Sequence, residues 1–162
     1  MSRRTNTPEA TPMRPAIWRV ALSWAAVVAM AGFIFWMSAN TGSSVDSGLG
    51  IISALKEALT TAAAFVFGPG VDVSPVGHFT EYFIFALLLA TALRNHVSPR
   101  TAALGAIAIA SAYGITDEIH QIFVPGRSCD PVDWLVDTVA AVVACAIWLI
   151  VVNRRVTIAK KR

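Results

Sequence analysis

Four long apolar stretches divide this chain, and short polar or Pro/Gly-containing segments separate them. The stretches run from Ile17 to Met37, from His78 to Leu93, from Thr101 to Phe123, and from Pro131 to about Val152. A helix needs about 20 mostly apolar residues to cross the hydrocarbon core of a bilayer, so each stretch indicates a membrane span. The pattern therefore predicts an all-α, polytopic membrane protein with four transmembrane helices.

The long connection between the first two spans contains one further periodic segment. Between Ile51 and Phe67 the apolar residues fall on one arc of a helix, while polar residues such as Lys56 and Glu57 fall on the opposite arc. A short helix with two such faces is typical of the membrane surface. We therefore predict an amphipathic helix on the outer face, either packed over the bundle or acting as a lid.

The remaining segments are short and polar. Residues 1–16 are rich in Pro and Thr, which predicts a disordered cytoplasmic tail. Residues 17–152 are expected to form one four-span membrane domain, and residues 153–162 a basic cytoplasmic tail. The composition agrees, because 56% of the residues are hydrophobic and 14% are charged, whereas a soluble domain carries about 25% charged residues.

Charge is segregated along the chain. Eleven of the 13 Lys and Arg residues lie in the tail up to Arg19, in the link from Arg94 to Arg100, or after Val152, and nine of the 10 acidic residues lie between Asp46 and Asp137. Because basic segments favour the cytoplasm, both chain ends are predicted to be cytoplasmic. These segments are too short to form a nucleic-acid interface, so we expect membrane lipids as partners and no nucleic acid.

Ionisable and polar residues interrupt the spans at one predicted depth near the outer face. They are His78, Glu81 and Tyr82 in span two, Asp117, Glu118 and Gln121 in span three, Arg127 in the following turn, and Asp133 and Asp137 in span four. An ionised side chain costs roughly 2.5–3.5 kcal/mol at the centre of a membrane helix, so such residues indicate a functional site. Because a short turn joins spans three and four, they should be antiparallel neighbours. We therefore predict one outward-facing pocket.

Several of these residues also have ordinary structural uses. His78 and Glu81 fit an interfacial hydrogen-bonded pair, and Asp133 fits a cap or a favourable charge at the start of span four. Arg127 fits a side chain that extends to the headgroups, but in an acidic pocket we favour a clamp for a carboxylate or a phosphate. The cofactor is unassigned, although oxygen ligands with one imidazole suit a divalent cation such as Mg, Mn or Ca.

The order of these residues resembles a known family. The run Asp117-Glu118-x-x-Gln121-x-Phe123-x-Pro125-Gly126-Arg127, followed by Asp133 and a polar residue at 137, is similar to the VanZ-like family of small bacterial membrane proteins. The start of span two, His78-x-x-Glu81-Tyr82, fits the same pattern, and the resemblance covers about residues 34–144. The family commonly carries Asn where this chain has Asp137.

The resemblance implies a multi-pass protein of the bacterial cytoplasmic membrane that acts in the cell envelope. It also implies a link to resistance against the glycopeptide teicoplanin. Glycopeptides act on lipid-linked cell-wall precursors at the outer membrane face, where the sequence predicts the polar pocket.

Three functions fit the pocket. An enzyme acting on a lipid-linked or polyprenyl-phosphate envelope precursor would use Asp117 or Glu118 as general base or metal ligand. In that enzyme His78, with Glu81 beside it, would be the acid or base, and Arg127 would clamp the phosphate. A non-catalytic binding protein or scaffold would hold a lipid headgroup, an antibiotic or a partner enzyme in the same pocket. A transporter ranks last, because no inverted repeat is evident.

The remaining members of the pocket are expected to bind the substrate. These residues are Tyr82, Gln121, Arg127, Asp133 and Asp137. Replacing Glu118 by Gln separates the two leading functions, because a binding role tolerates the isostere and a general base does not.

Overall fold

The computed structural model describes residues 16–40 and 73–160, together with isolated positions between these ranges. Within this part the chain forms four α-helices: α1 (Ile17–Ala39), α2 (Ser74–Leu93), α3 (Pro99–Gln121) and α4 (Pro131–Lys160). All four are long and apolar enough to cross a membrane, and in α4 this stretch is Pro131–Ile158. The four-span, all-α architecture that the apolar pattern predicts is confirmed.

The end of α4 differs from the prediction, and the predicted surface helix lies mostly outside the described residues. α4 continues past the predicted end near Val152 to Lys160, so most of the segment predicted as a basic tail is helical. The surface helix predicted over residues 51–67 lies outside the described residues, apart from isolated helical positions such as Glu57 and Phe65, which are exposed. That helix stays a prediction.

The start of α4 follows from its first residues. Pro131 occupies the first helical position, where a missing backbone N–H removes no intrahelical hydrogen bond. Just before it, the Asp130 carboxylate accepts a hydrogen bond from Val132 N (2.8 Å) and caps the helix. The sequence offers two structural uses for Asp133, a cap or a favourable charge at the start of span four. Asp133 lies in the first turn of α4, where its negative charge is favourable. The capping residue is Asp130.

Small side chains bring α3 and α4 together. The buried alanines, each at most 2% exposed, are Ala102, Ala103, Ala106 and Ala110 in α3 and Ala140, Ala141 and Ala144 in α4. Small residues let helix backbones approach closely where lipid provides no hydrophobic driving force between helices. α2 packs against both α3 and α4, whereas α1 packs on α2 and, less extensively, on α3. The bundle therefore has α2, α3 and α4 at its centre.

The alternating chain direction gives the bundle two ends. We call the end with the C-termini of α1 and α3 and the N-termini of α2 and α4 the site end. We call the other end, which carries Arg94 and Arg100, the basic end. The turn between α3 and α4 lies at the site end, where Arg127 N donates to Val124 O (3.1 Å). Gly126 has φ +81°, a conformation that other residues rarely adopt, and Pro125 precedes it, as in a type II turn.

Candidate functional site at one end of the bundle

Polar side chains from three helices are buried together at the site end. They are His78 of α2, Asp117, Glu118 and Gln121 of α3, and Asp137 of α4, each at most 8% exposed. Tyr82 of α2 is also fully buried, whereas Glu81, Arg127 and Asp133 are half-buried. Buried charges in proteins are normally paired or coordinate metals, so the contacts of each group decide what the site can do.

His78 makes the contacts that join α2 to α4. Its Nδ1 lies 3.2 Å from Asp137 Oδ1, and its Nε2 lies 3.7 Å from Asp133 Oδ2. The side chains of His78 and Asp133 are 10% and 17% exposed, so they form the accessible rim of the site, while Asp137 is fully enclosed. The expected pair of His78 with Glu81 is wrong as a hydrogen bond, because the imidazole faces α4.

Glu118 connects the buried cluster to the loop before α4. Its Oε2 accepts a hydrogen bond from the backbone N–H of Asp130 at 2.7 Å. Its Oε1 is buried and has no hydrogen-bond partner among the described residues. One half of the carboxylate therefore holds the loop, and the other half is available for a donor or a cation.

The other polar groups of α2 and α3 surround this cluster. Gln121 Nε2 donates to Asp117 Oδ2 (3.3 Å), which links the last two turns of α3. Glu81 lies close enough to His78 and Asp117 to interact with both electrostatically. The Tyr82 hydroxyl is buried and has no hydrogen-bond partner within the described ranges. Tyr82 therefore presents an unused donor in the middle of an acidic site.

Arg127 contacts backbone carbonyls rather than carboxylates. One guanidinium nitrogen donates to Met37 O (3.3 Å) and to Asn40 O (3.1 Å) at the C-terminal end of α1. This placement satisfies carbonyls that a helix end leaves without intrahelical partners. The described residues show no hydrogen bond from Arg127 to a carboxylate, and the predicted clamp for a carboxylate stays a prediction. The clamp for a phosphate stays a prediction, because Nε of Arg127 is buried and has no partner there.

Three of the buried side chains have the arrangement of metal ligands. One atom each of His78, Glu118 and Asp137 lies within 4.8 Å of the other two. This set comes from three helices and includes Asp137, which no local sequence spacing assigns as a ligand. The acidic residues Glu81 and Asp117, which the sequence places in the same pocket, lie outside this group. His120, which the sequence did not place in the site, stacks on Phe35 with ring centroids 4.5 Å apart.

Sequence reasoning missed Gly114. A Cβ added there would lie 3.1 Å from Asp137 Oδ2 and 3.3 Å from Trp134 Cδ1. The missing side chain therefore lets the Asp137 carboxylate sit against the backbone of α3. The available signal was a glycine inside an apolar span, three residues before Asp117, because such a glycine often marks close backbone approach.

The search against protein families finds one match that covers most of the chain. The family model described as VanZ/LLP1 matches residues 23–152, which contain all four helices in large part and every residue of the candidate site. No curated protein and no solved structure matches the chain. The chain therefore belongs to the VanZ/LLP1 family.

Proposed function

We propose that this protein acts in the bacterial cell envelope, and that its site binds the phosphate-bearing headgroup of a lipid-linked or polyprenyl-phosphate precursor. The proposal places the site end at the outer face of the cytoplasmic membrane and both chain ends in the cytoplasm. The charge segregation along the sequence supports this orientation.

The observation that carries the proposal is the set of unpaired donors in the site. Within the described residues, the Tyr82 hydroxyl and Arg127 Nε are buried and lack hydrogen-bond partners. A buried donor without a partner costs about 1–3 kcal/mol, so a ligand that accepts from either donor would recover part of this free energy. Anionic oxygens of a phosphate have this property, and Arg is well suited to bind them.

The location of the site fits an amphiphilic ligand. His78 and Asp133 form the accessible rim at the end of the spans, while apolar side chains such as Leu135 and Val139 of α4 are exposed on the outside of the bundle. These side chains lie about 200° around α4 from Asp133 and Asp137. A lipid with its chain against this apolar surface would therefore place its headgroup at the rim by extending over the N-terminal end of α4. A soluble phosphate compound would gain nothing from the apolar surface.

Mass spectrometry of lipids that co-purify with the protein tests this proposal. We expect polyprenyl-phosphate lipids to be enriched over their share of the bulk membrane. Loss of a hydrogen bond to a charged group costs about 1.5–3 kcal/mol, so the Arg127→Ala variant should retain about 10–100-fold less of them.

Two controls separate recognition from folding. Arg100→Ala removes an exposed guanidinium at the basic end and should leave the lipid profile unchanged. Because Arg127 also holds α1, the Tyr82→Phe variant provides a second test that leaves that contact in place. Identical lipid profiles in the wild-type protein and in both site variants would refute the proposal.

A site that binds this lipid can also act on it as an enzyme, and the second candidate is a protein that binds it without catalysis. The geometry of Glu118 favours this second candidate. Its Oε2 already accepts from the backbone of Asp130, as a structural carboxylate does. If the site only binds, Glu118→Gln should keep the co-purified lipid and the cellular phenotype. If Glu118 is a general base, the variant should keep the lipid and lose the phenotype, which can be scored as teicoplanin susceptibility of a deletion strain carrying each variant.

A further inference from the structure

We propose that His78, Glu118 and Asp137 form a binding site for a single divalent first-row transition-metal ion, Zn²⁺ or Mn²⁺. This inference goes beyond the proposed function, because it requires no lipid ligand and is tested without one. It follows from the geometry of the three side chains, from their unpaired oxygen atoms and from the groups that orient them.

The geometry brings one nitrogen and two oxygen ligands together from three helices. The candidate ligand atoms lie within 4.8 Å of one another, and all three residues are buried. In a tetrahedral site with bonds of about 2.0–2.1 Å, ligand atoms are about 3.3 Å apart. Side-chain rotation that moves these atoms inward by about 1 Å would therefore bring the three ligands to bonding distance without moving the helices, and a water molecule would take the fourth position.

Unpaired oxygens provide an independent observation. Asp137 is fully buried and its Oδ2 has no hydrogen-bond partner among the described residues, and the same holds for Oε1 of Glu118, which is 4% exposed. An ionised carboxylate only accepts hydrogen bonds, so one imidazole cannot supply partners for both free oxygens. A divalent cation would bind both oxygens and offset two negative charges that are costly in an apolar surrounding.

Groups around the three ligands are placed as in known metal sites. Asp133 Oδ2 lies 3.7 Å from His78 Nε2, on the opposite side of the ring from the nitrogen that faces Asp137. Metal-binding histidines usually donate their second N–H to a carboxylate, which fixes the ring orientation. The Asp130 backbone N–H holds the second oxygen of Glu118. At 3.7 Å the two groups form an ion pair and not a hydrogen bond, and Asp133 would become a positioning residue for this site when that distance closes.

The ligand types select the metal. An imidazole suits Zn²⁺ and other late transition metals, while carboxylates suit Mn²⁺ and harder ions, so a mixed set favours Zn²⁺ or Mn²⁺ over Mg²⁺ or Ca²⁺. Zn²⁺ should bind more tightly than Mn²⁺ according to the usual affinity order of divalent metals. Mn²⁺ is among the ions expected from the sequence, whereas Mg²⁺ and Ca²⁺ are less favoured by this set, which lacks the oxygen ligand Asp117.

Metal content of the purified protein tests the site. The full chain in detergent micelles is stripped with a chelator, exposed in turn to Zn²⁺, Mn²⁺, Mg²⁺ and Ca²⁺, desalted and analysed by inductively coupled plasma mass spectrometry. We expect about one Zn²⁺ or Mn²⁺ per chain and neither Mg²⁺ nor Ca²⁺ after desalting. The variants His78→Gln, Glu118→Gln and Asp137→Asn should each lose this ion.

Two control variants should keep the metal, and a third variant should weaken its binding without abolishing it. His96→Gln changes an exposed imidazole at the basic end, and Glu57→Gln changes an exposed carboxylate, so both should bind as the wild type does. Asp133→Asn should fold normally and bind about 10–100-fold more weakly, as changes to groups that orient ligands do. The proposal is overturned if the wild-type protein retains no transition metal, or if Asp137→Asn and Asp133→Asn retain as much as the wild type. Lipid retention is measured separately, so failure here leaves the headgroup proposal standing.

Discussion

In the part of the chain that the structure describes, the site contains buried polar atoms without partners, whereas polar side chains elsewhere in the bundle are paired and lie nearer to its surface. Outside the site, exposed or half-buried polar side chains within the described ranges form pairs. Asn95 and His96 of the α2–α3 link pair with Ser23 (3.1 Å) and Trp24 (3.2 Å) of α1, Thr91 of α2 pairs with Trp148 of α4 (3.1 Å), and Ser111 of α3 pairs with Thr138 of α4 (2.9 Å). The buried polar atoms without partners lie almost entirely in the site: Tyr82 Oη, Glu118 Oε1, Arg127 Nε and Asp137 Oδ2. Among the described residues, the one other such atom is Nε2 of His120.

This difference distinguishes the contacts that stabilise the bundle from the polar groups of the site, which reduce its stability. Each buried polar atom without a partner costs about 1–3 kcal/mol, so four of them in one place oppose folding. Alanine-rich packing and paired polar contacts in the rest of the bundle offset that cost. Groups that destabilise the folded protein and cluster at one end are best explained by a ligand that they bind.

The largest expected effect concerns which side of the membrane each end faces. The site end carries the exposed Cys129, while Cys145 is buried. We expect a membrane-impermeant maleimide to label Cys129 in intact cells. A cysteine placed by Val97→Cys in the α2–α3 link, in a Cys129→Ser background, should be labelled only after the membrane is permeabilised.

The labelling conditions matter for Cys129. Partial desolvation and the nearby Glu118 carboxylate raise the pKa of its thiol above the ordinary value, so less thiolate is present at neutral pH. Labelling should therefore be carried out at about pH 8.5 and for the same time at both positions. The reverse pattern would place the site end in the cytoplasm, and the proposed outer-face substrate would then be wrong.

The sequence predicts the spans well, because bilayer thickness imposes a length and composition that can be counted directly. Residue spacing also places Asp117 near Gln121, since residues four apart share a helix face. It cannot show that His78 contacts Asp137, 59 residues away, because that depends on how α2 and α4 pack. Contacts to backbone atoms, such as Arg127 to Met37 O, carry no side-chain signature and escape sequence reasoning.

A pair of glycines in α3 tests whether the site is packed more tightly than the rest of the bundle. A Cβ at Gly114 would press on Asp137 Oδ2 at 3.1 Å, whereas a Cβ at Gly105 would meet only Leu93 Cδ1, the end of a flexible side chain, at 3.3 Å. We expect Gly114→Ala to destabilise the protein by about 1–3 kcal/mol, as overpacking does. Gly105→Ala should change stability by less than about 1 kcal/mol and in the favourable direction, because alanine favours a helix.

Unfolding in mixed detergent micelles with increasing sodium dodecyl sulfate provides the measurement. Circular dichroism follows helix loss for both variants and the wild type under the same conditions. Equal destabilisation by the two substitutions would mean that the packing around Asp137 is no tighter than elsewhere along α3. The site would then differ from the rest of the bundle only in its polar contacts, and not in how tightly it is packed.

The smallest effects are expected from two tyrosines, and their signs should differ. The Tyr113 hydroxyl donates to Ala31 O (2.8 Å) and joins α3 to α1, while the Tyr82 hydroxyl has no partner among the described residues. Tyr113→Phe removes a hydrogen bond and should cost about 1 kcal/mol. Tyr82→Phe removes a buried donor that makes no hydrogen bond in the described residues, so it should leave stability unchanged or raise it by up to about 1 kcal/mol.

The same unfolding measurement applies to both tyrosine variants, and it should be combined with lipid analysis of each variant. If Tyr82 donates to a bound phosphate, Tyr82→Phe should gain stability after complete delipidation and retain less polyprenyl phosphate before it. Tyr113→Phe should lose stability and keep the lipid. A loss of stability in delipidated Tyr82→Phe that matches that of Tyr113→Phe would show that the Tyr82 hydroxyl is paired within the protein, and its role in the site would have to be abandoned.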